Sequence, residues 1–328
     1  MLEGTVSTRI IRLLTAGVRV HGREPRLSTT TDLSHDELTN DLIRLPTSVC
    51  DELWMSLPSD AIGSGTARHL LTSLPDEGLG LWTQLFGGGE TAVDGLRDAC
   101  HYFPTIADPR REALELIEDG GMTIVRHATL TEYEPDVQAV LQEFVVSLVL
   151  NHLRRATGRW IVPVRAQFAH GAPRSRVDLL DTRNLDFDAD VNAVTFLTTD
   201  LAAALPDPRP GLGAVLRQYA DLAMSTATAA PTWHDRFRNE LGKAMRDNDV
   251  SLSTVAAMLA IAPRTLQRRL AEHGTTWRAE VDNLRRETTA RLLHDSDLTT
   301  HSVAARIGYS DARSLRRAAY RWHGYPSN

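Results

Sequence analysis

Apolar and polar positions along the first part of the chain change period several times. Up to about residue 60 the spacing is helical: Ile10, Leu13 and Leu14, and later Leu38, Leu42 and Leu45, recur three or four positions apart. Residues 113–118 and 123–127 are instead short β-rich runs flanking Asp119-Gly120-Gly121, the pattern of a hairpin. Val140–Leu153 is the most apolar stretch, with Val140, Phe144, Leu148 and His152 at helical spacing, and predicts a core helix. Two further β-rich runs, Ile161–Phe168 and Val191–Leu197, precede a last helix over Leu212–Met224. Helix, hairpin, long helix and further strands predict an α+β domain over residues 1–224. The small-residue, proline-terminated stretch after it predicts a linker over 225–233.

From residue 234 the strand signals stop, and residues 234–328 predict an all-α domain. Phe237, Leu241 and Met245 mark one helix; Leu252, Val255 and Leu259 mark a second, with Ser251 able to cap it. A third begins at Pro263, carries Leu266 and Leu270, and stops at Gly274. Thr275-Thr276 opens a long helix striped by Trp277, Val281, Leu284 and Leu292. Thr300 starts a short helix ended by Gly308, and Ser310 is placed to cap a final one containing Leu315, Ala318 and Trp322. Two stretches share one plan, 255–270 and 303–317: a short helix turns into one rich in arginine. Each has the form of a helix-turn-helix whose second helix enters a major groove. Arginine suits guanine O6/N7 there, and glutamine suits adenine N6/N7. The long helix between them, at about 1.5 Å per residue, makes a rod of roughly 25 Å. With turns at both ends it can separate two reading helices by about one turn of B-DNA, roughly 34 Å.

Charge supports this division. The whole chain of 328 residues has a net charge of −6, which argues against a polyanionic partner. Residues 234–328, however, carry 16 Lys/Arg against 11 Asp/Glu, or +5, while the remainder carries 20 against 31, or −11. The basic part suits DNA, although arginines on solvated helix faces would give the same count. Two cysteines, Cys50 and Cys100, are too few for a disulfide scaffold and fit a reducing compartment. No targeting segment is read at the N-terminus, and the apolar run at 140–153 is too short for a bilayer, which needs about 20 apolar residues. The expected location is the cytoplasm, with no membrane partner.

The helical part resembles the DNA-binding domain of the AraC/XylS family of bacterial transcription regulators. The likeness is carried by Arg264–Leu270 followed by Gly274, by Arg291-Leu292-Leu293, by Ile307–Asp311, by Arg317-Ala318 and by Arg321–Pro326. The resemblance implies DNA-reading positions at Arg264, Gln267 and Arg268 in the first reading helix, and at Ala312, Arg313, Arg316 and Arg317 in the second. Ala312 offers only apolar contact, for instance to a thymine methyl. Arg317 suits an internal ion pair as well, and Arg285 and Arg286 suit phosphates or acidic neighbours better than bases. Arg313 stands where the family usually has serine, Ala319 where it has an aromatic, and Ala262 where it has a capping serine. The last forfeits about 1 kcal/mol of cap energy.

Residues 1–224 resemble, more faintly, the family's arabinose-binding-like sensor branch, through Arg44-Leu45-Pro46, Pro163–His170, Ala172-Pro173 and Phe187–Val194. These motifs look structural, and the label does not imply a sugar. No catalytic set stands out. Adjacent Cys100 and His101 point about 100° apart on a helix, which predicts a core cysteine beside a solvated histidine. His69, His127 and His170 lack metal-ligand spacing, and the Gly87-Gly88-Gly89 run lacks the surroundings of a phosphate loop. No metal or cofactor is expected. The partners implied are double-stranded promoter DNA, a small-molecule effector whose contacts the sequence does not indicate, a second copy of the chain, and RNA polymerase if the protein activates. Two rival readings are a DNA-acting enzyme that borrows this domain and an effector-binding protein whose DNA domain has weakened. Two isolated cysteines cannot supply the zinc-binding cluster of the related repair enzymes, which disfavours the first.

Overall fold

The structure is a computed structural model that describes residues 2–20, 33–57, 66–72, 78–131, 133–172, 180–247, 249–294, 299–306 and 311–323. The chain forms two compact units, Met1–Ala230 and Pro231–Asn328.

The first unit is α+β. Strand β1 (Thr5–Ser7), helix α1 (Thr8–Val20), helix α2 (His35–Thr39), strand β2 (Ile43–Pro46) and helix α3 (Thr47–Met55) come first. Helices α4 (Thr66–Thr72), α5 (Leu81–Leu85) and α6 (Ala92–His101) lead to the hairpin β3 (Glu112–Asp119) and β4 (Met122–Thr129). Helix α7 (Pro135–Thr157) is followed by β5 (Arg165–Gln167), β6 (Leu185–Asp186), β7 (Asn192–Leu197), α8 (Thr198–Leu201), α9 (Pro210–Thr226) and β8 (Thr228–Ala229). Strands β3-β4-β7-β5-β6 make a five-stranded sheet and β1-β2-β8 a three-stranded one.

The hairpin forms as its turn residues dictate. Asp119 pairs with Met122 across Gly120-Gly121, both at positive φ (54° and 80°), the left-handed pair that a two-residue turn between twisted strands requires. Helix α7 is buried on nearly every side from Ala139 to Leu150, which explains its continuous apolar sequence, and it ends at Gly158 in the left-handed conformation. His152 sits in that core between Trp82 and Phe86. Its Nδ1 donates to Leu148 O (2.8 Å), and its Nε2 lies 2.9 Å from Thr83 Oγ1, which accepts from Leu79 N. Burial holds this imidazole down to about 4, so it is neutral in the folded protein.

Three expectations are corrected here. The stretch up to residue 60 is not wholly helical: Thr5–Ser7 and Ile43–Pro46 are strands, antiparallel to each other, with Val6 opposite Leu45. The run Ile161–Phe168 yields a strand only over Arg165–Gln167, since Pro163 has no N–H to give a ladder. The expected linker is structured. Ser225 and Thr226 complete α9, Thr228–Ala229 lie parallel to Ile43–Arg44, and α10 already begins at Trp233. Gly88, in the glycine run at 87–89, has a packing reason: a Cβ there would stand 3.1 Å from Gly213 Cα of α9, and a Cβ on Gly213 1.9 Å from Gly88 O, so helix and loop meet backbone to backbone. Gly63–Gly65, also expected as a loop, lie outside the described residues.

The second unit is helical throughout its described residues: α10 (Trp233–Arg246), α11 (Leu252–Met258), α12 (Pro263–Glu272), α13 (Trp277–His294), α14 (Thr300–Arg306) and α15 (Ala312–His323). It has two small cores. Phe237, Leu241, Val255, Leu266, Leu270 and Val281 form one; Met245, Val303, Ala304 and Leu315 form the other. Leu284 of α13 packs against both, so this helix braces the two halves. Among the described residues no helix is long and apolar enough to cross a membrane.

Candidate DNA-recognition helices

Helix α11 is capped by Ser251, whose side chain accepts from Thr254 N, and it ends in an unusual turn. Ala260 N donates to Ala257 O and Ile261 N to Ala256 O, both at 3.0 Å, the bonding of a glycine-terminated helix end. The left-handed position is occupied by Ala260 (φ 53°), a conformation that costs a residue with a Cβ about 1–2 kcal/mol. Ile261 repays part of that by packing against the first core. Helix α12 then starts at Pro263 with no side-chain cap from Ala262 and ends at Gly274 (φ 69°), where Gly274 N and Thr275 N close on Ala271 O and Leu270 O.

Within α12, Leu266 and Leu270 are fully buried, four residues apart on one face. The opposite face exposes Arg264, Gln267 and Arg268. All three predicted readers therefore form one solvent-facing stripe, as an i, i+3, i+4 spacing requires. Arg268 meets Glu272 only at 3.9 Å across a surface where both side chains are more than half exposed, a pair of little energetic weight. Arg269, one position on, does something else: its guanidinium lies over the Trp233 ring, 5.6 Å from the centroid, and braces α12 against α10.

Helix α15 repeats the arrangement. Leu315 and Ala318 are buried, while Arg313, Arg316 and Arg317 are exposed and Ala312 is half-buried. Counting from the first helical residue, the second, fifth and sixth positions carry Arg264, Gln267 and Arg268 in α12 and Arg313, Arg316 and Arg317 in α15. The buried leucine is fourth in both. Arg317 reaches Ser314 Oγ at 3.4 Å, a neighbour on its own helix. Asp311, just before the first residue of the helix, accepts from Ser314 N through its Oδ1 at 2.6 Å. An aspartate there adds negative charge at the positive end of the helix dipole. Residues 307–310, including the expected cap Ser310, lie outside the described residues, as do the side chains of Ala319 and of 321–323.

Helix α13, with 18 residues, spans about 27 Å at 1.5 Å per residue. Arg285 and Arg286 on it are half-buried, and Glu287 pairs with Arg238 of α10, so this helix is tied inward. In the first unit Cys100 is buried and His101 exposed, the separation expected of neighbours on a helix. Among the described residues no group of three His, Cys, Asp or Glu is placed to hold a metal ion.

The sequence matches known families over both units. Residues 25–205 match the N-terminal arabinose-binding domain of AraC transcription regulators, more than half of the chain, and residues 255–327 match a helix-turn-helix domain. The chain belongs to the AraC family of transcription regulators. Among curated relatives it is 40% identical over 78 residues to the HTH-type transcriptional regulator VqsM of Pseudomonas aeruginosa, covering 24% of each chain. It is 38% identical over 74 residues to the HTH-type transcriptional regulator VirS of Mycobacterium tuberculosis, covering 23% of this chain and 22% of that one. The matching segment thus spans about a quarter of each relative's length. The crystal structure of the transcriptional regulator CdpR of P. aeruginosa aligns over 96% of this chain and 95% of its own, at 18% identity and a TM-score of 0.46, too distant to bear on the fold.

Two features of this AraC-family chain go beyond what the sequence indicates. One is the burial of Arg44 in β2, a residue of the Arg44-Leu45-Pro46 motif. Its guanidinium donates to Thr5 Oγ1 (2.9 Å), Thr5 O (2.8 Å), Thr105 O (2.7 Å) and Ala107 O (2.8 Å). Burial lowers it to about 10, against the pull of nearby Asp108, so it remains charged at neutral pH. The other is a small cavity of about 30 Å³ in the first unit, with walls from β1, α1, α3, β3, α7 and the segment 103–107.

Proposed function

We propose that the protein is a sequence-specific DNA-binding transcription regulator that reads two successive major grooves with α12 and α15 and answers to a small effector held by its first unit. The observation that carries this reading is the repeated stripe. Two helices place exposed Arg or Gln at their second, fifth and sixth positions over a buried leucine at the fourth. A solvated surface helix needs no such repetition. Side chains near a helix N-terminus are the ones that reach base edges when that helix enters a groove. Arg264, Gln267 and Arg268 suit guanine and adenine; Arg313, Arg316 and Arg317 suit guanine or phosphate, with Ala312 beside a thymine methyl. Helix α13 supplies the spacing for helices one turn of duplex apart. We further infer that the protein acts in the cytoplasm as a homodimer on adjacent promoter sites, and contacts RNA polymerase where it activates.

Footprinting on the DNA upstream of the protein's own gene tests this reading. Protection over about 20 base pairs per protomer is expected, with two major-groove contacts about 10 base pairs apart. Arg268→Ala should lift protection from one groove and Arg316→Ala from the other. Protection confined to one groove would leave α15 without the role assigned to it, and none at all would overturn the reading.

A further inference from the structure

We propose that Glu280 is a positioning residue for DNA recognition, a buried carboxylate that joins the start of α10 to the turn after α12 and so fixes the aim of Arg264, Gln267 and Arg268. This rests on the DNA-reading function proposed above and places part of its control in a residue outside both reading helices.

Glu280 is the fourth residue of α13 and only 5% exposed. Its Oε1 accepts from Thr275 Oγ1 at 2.9 Å and lies 3.1 Å from His234 Nε2. Its Oε2 is buried and accepts no hydrogen bond from any described residue. The first turn of a helix favours negative charge, because the dipole is positive there. That gain is small beside the cost of taking a carboxylate out of water, and a leucine of similar volume would fill the space without it. Packing therefore does not explain the acid. What a carboxylate adds is direction: apolar burial is non-directional, whereas a hydrogen-bonded oxygen fixes where its partners stand.

Those partners sit where the pose of α12 is decided. Thr275 follows Gly274, and its N–H closes on Leu270 O at 2.9 Å, so its hydroxyl ties the end of α12 to α13. His234, in the first turn of α10, stacks on His273, the residue that ends α12, with ring centroids 5.9 Å apart and planes 14° from parallel. The His273 ring is itself held, Nδ1 donating to Arg269 O at 2.9 Å. One carboxylate thus reaches the C-terminal end of the reading helix by two routes, through the following turn and through the histidine pair.

Leu266 and Leu270 bury one face of α12 without fixing its rotation to the last degree. Contacts to base edges need side chains placed within about 0.5 Å, whereas attraction to phosphates falls off slowly with distance. A small rotation of α12 therefore costs base discrimination before it costs affinity for DNA as such.

Binding of the full chain to its upstream DNA, and to the same DNA with bases changed in one protected groove or the other, tests the proposal. Loss of protection in Arg268→Ala and in Arg316→Ala identifies the two grooves. The parent should lose at least about fivefold in affinity on either change. Glu280→Leu should discriminate less than about twofold at the Arg268 groove, keep the parent's discrimination at the Arg316 groove, and bind the DNA changed at the Arg268 groove as the parent does. Glu280→Gln, which keeps an acceptor for Thr275 Oγ1, should recover most of the discrimination. A residue that only stabilised the unit would weaken both grooves together. Full discrimination at the Arg268 groove in Glu280→Leu, or equal loss at both grooves, overturns the proposal. If Glu280→Leu does not fold, His234→Phe, which keeps a ring against His273 and removes the partner of Glu280, decides: discrimination should fall by at least about twofold at the Arg268 groove alone. A parent that discriminates at neither groove overturns the DNA-reading function itself; a discriminating parent matched by Glu280→Leu sinks only the positioning role.

Discussion

Arg44 and Arg268 are the same side chain put to opposite uses in the two units. Arg44 is 1% exposed and donates four hydrogen bonds to β1 and the segment 103–107, joining elements distant in sequence. The Arg268 side chain is 70% exposed and meets one carboxylate at 3.9 Å. The first unit uses its buried charges to fix walls around a cavity. In the second unit Leu266 and Leu315 are buried beneath α12 and α15, while Arg264, Arg268, Arg313, Arg316 and Arg317 of these helices stay exposed to water. A charged residue thus declares its role through the number and burial of its partners, and its identity alone says little.

The largest effect that follows falls on Arg44. Replacing it with alanine strands three backbone carbonyls that it satisfies, and should destabilise the first unit by at least about 3 kcal/mol in urea unfolding. Arg268→Ala should leave stability within about 0.5 kcal/mol of the parent. Equal losses at the two positions would erase the contrast.

A second contrast is in pH. His152 has its folded value lowered to about 4 by burial, from an ordinary 6.5, so between these values the unfolded chain binds more protons than the folded one. Stability of the first unit is complete above about 6.5 and falls as pH drops toward 4, by about 3 kcal/mol in all. Thermal unfolding of the parent and of His152→Gln between pH 4 and 7 should show this slope in the parent and a flatter one in the variant. Parallel slopes would remove His152 from the account.

Smaller is the loss in DNA affinity on Arg268→Ala, about 1–3 kcal/mol or roughly 5–100-fold, with base preference relaxed at one position. Arg269→Ala, which removes the brace on Trp233, should lower stability more than it lowers base preference. The smallest effect is a gain: Ala260→Gly relieves the left-handed position and should stabilise the second unit by about 0.5–1 kcal/mol without altering DNA recognition.

Much of the second unit was legible in the sequence, because helical period alone separates Leu266 and Leu270 from Arg264, Gln267 and Arg268. The hairpin was legible as well, since Asp119-Gly120-Gly121 specifies its own turn. The three-stranded sheet was not. Its members have two to four residues, too few for any period, and β8 pairs through backbone groups that a run such as Thr228-Ala229 does not advertise. The same small side chains read as a linker. The cavity draws its walls from elements a hundred and more residues apart, so it left no local mark; Cys50 and Trp54, one helical turn apart on α3, were its nearest approach to a pattern.

The central claim, that two matched stripes of exposed arginine and glutamine lie in successive grooves, is tested most directly by the salt dependence of DNA affinity. Counterion release predicts that log K falls linearly with log salt, with a slope of about −0.9 for each phosphate neutralised. The parent should bind its upstream DNA at low salt and lose affinity steeply. Arg268→Ala should be weaker at every salt with nearly the parent's slope, as expected of a base contact. No binding at low salt, a flat dependence, or an Arg268→Ala curve that superimposes on the parent's would contradict the account.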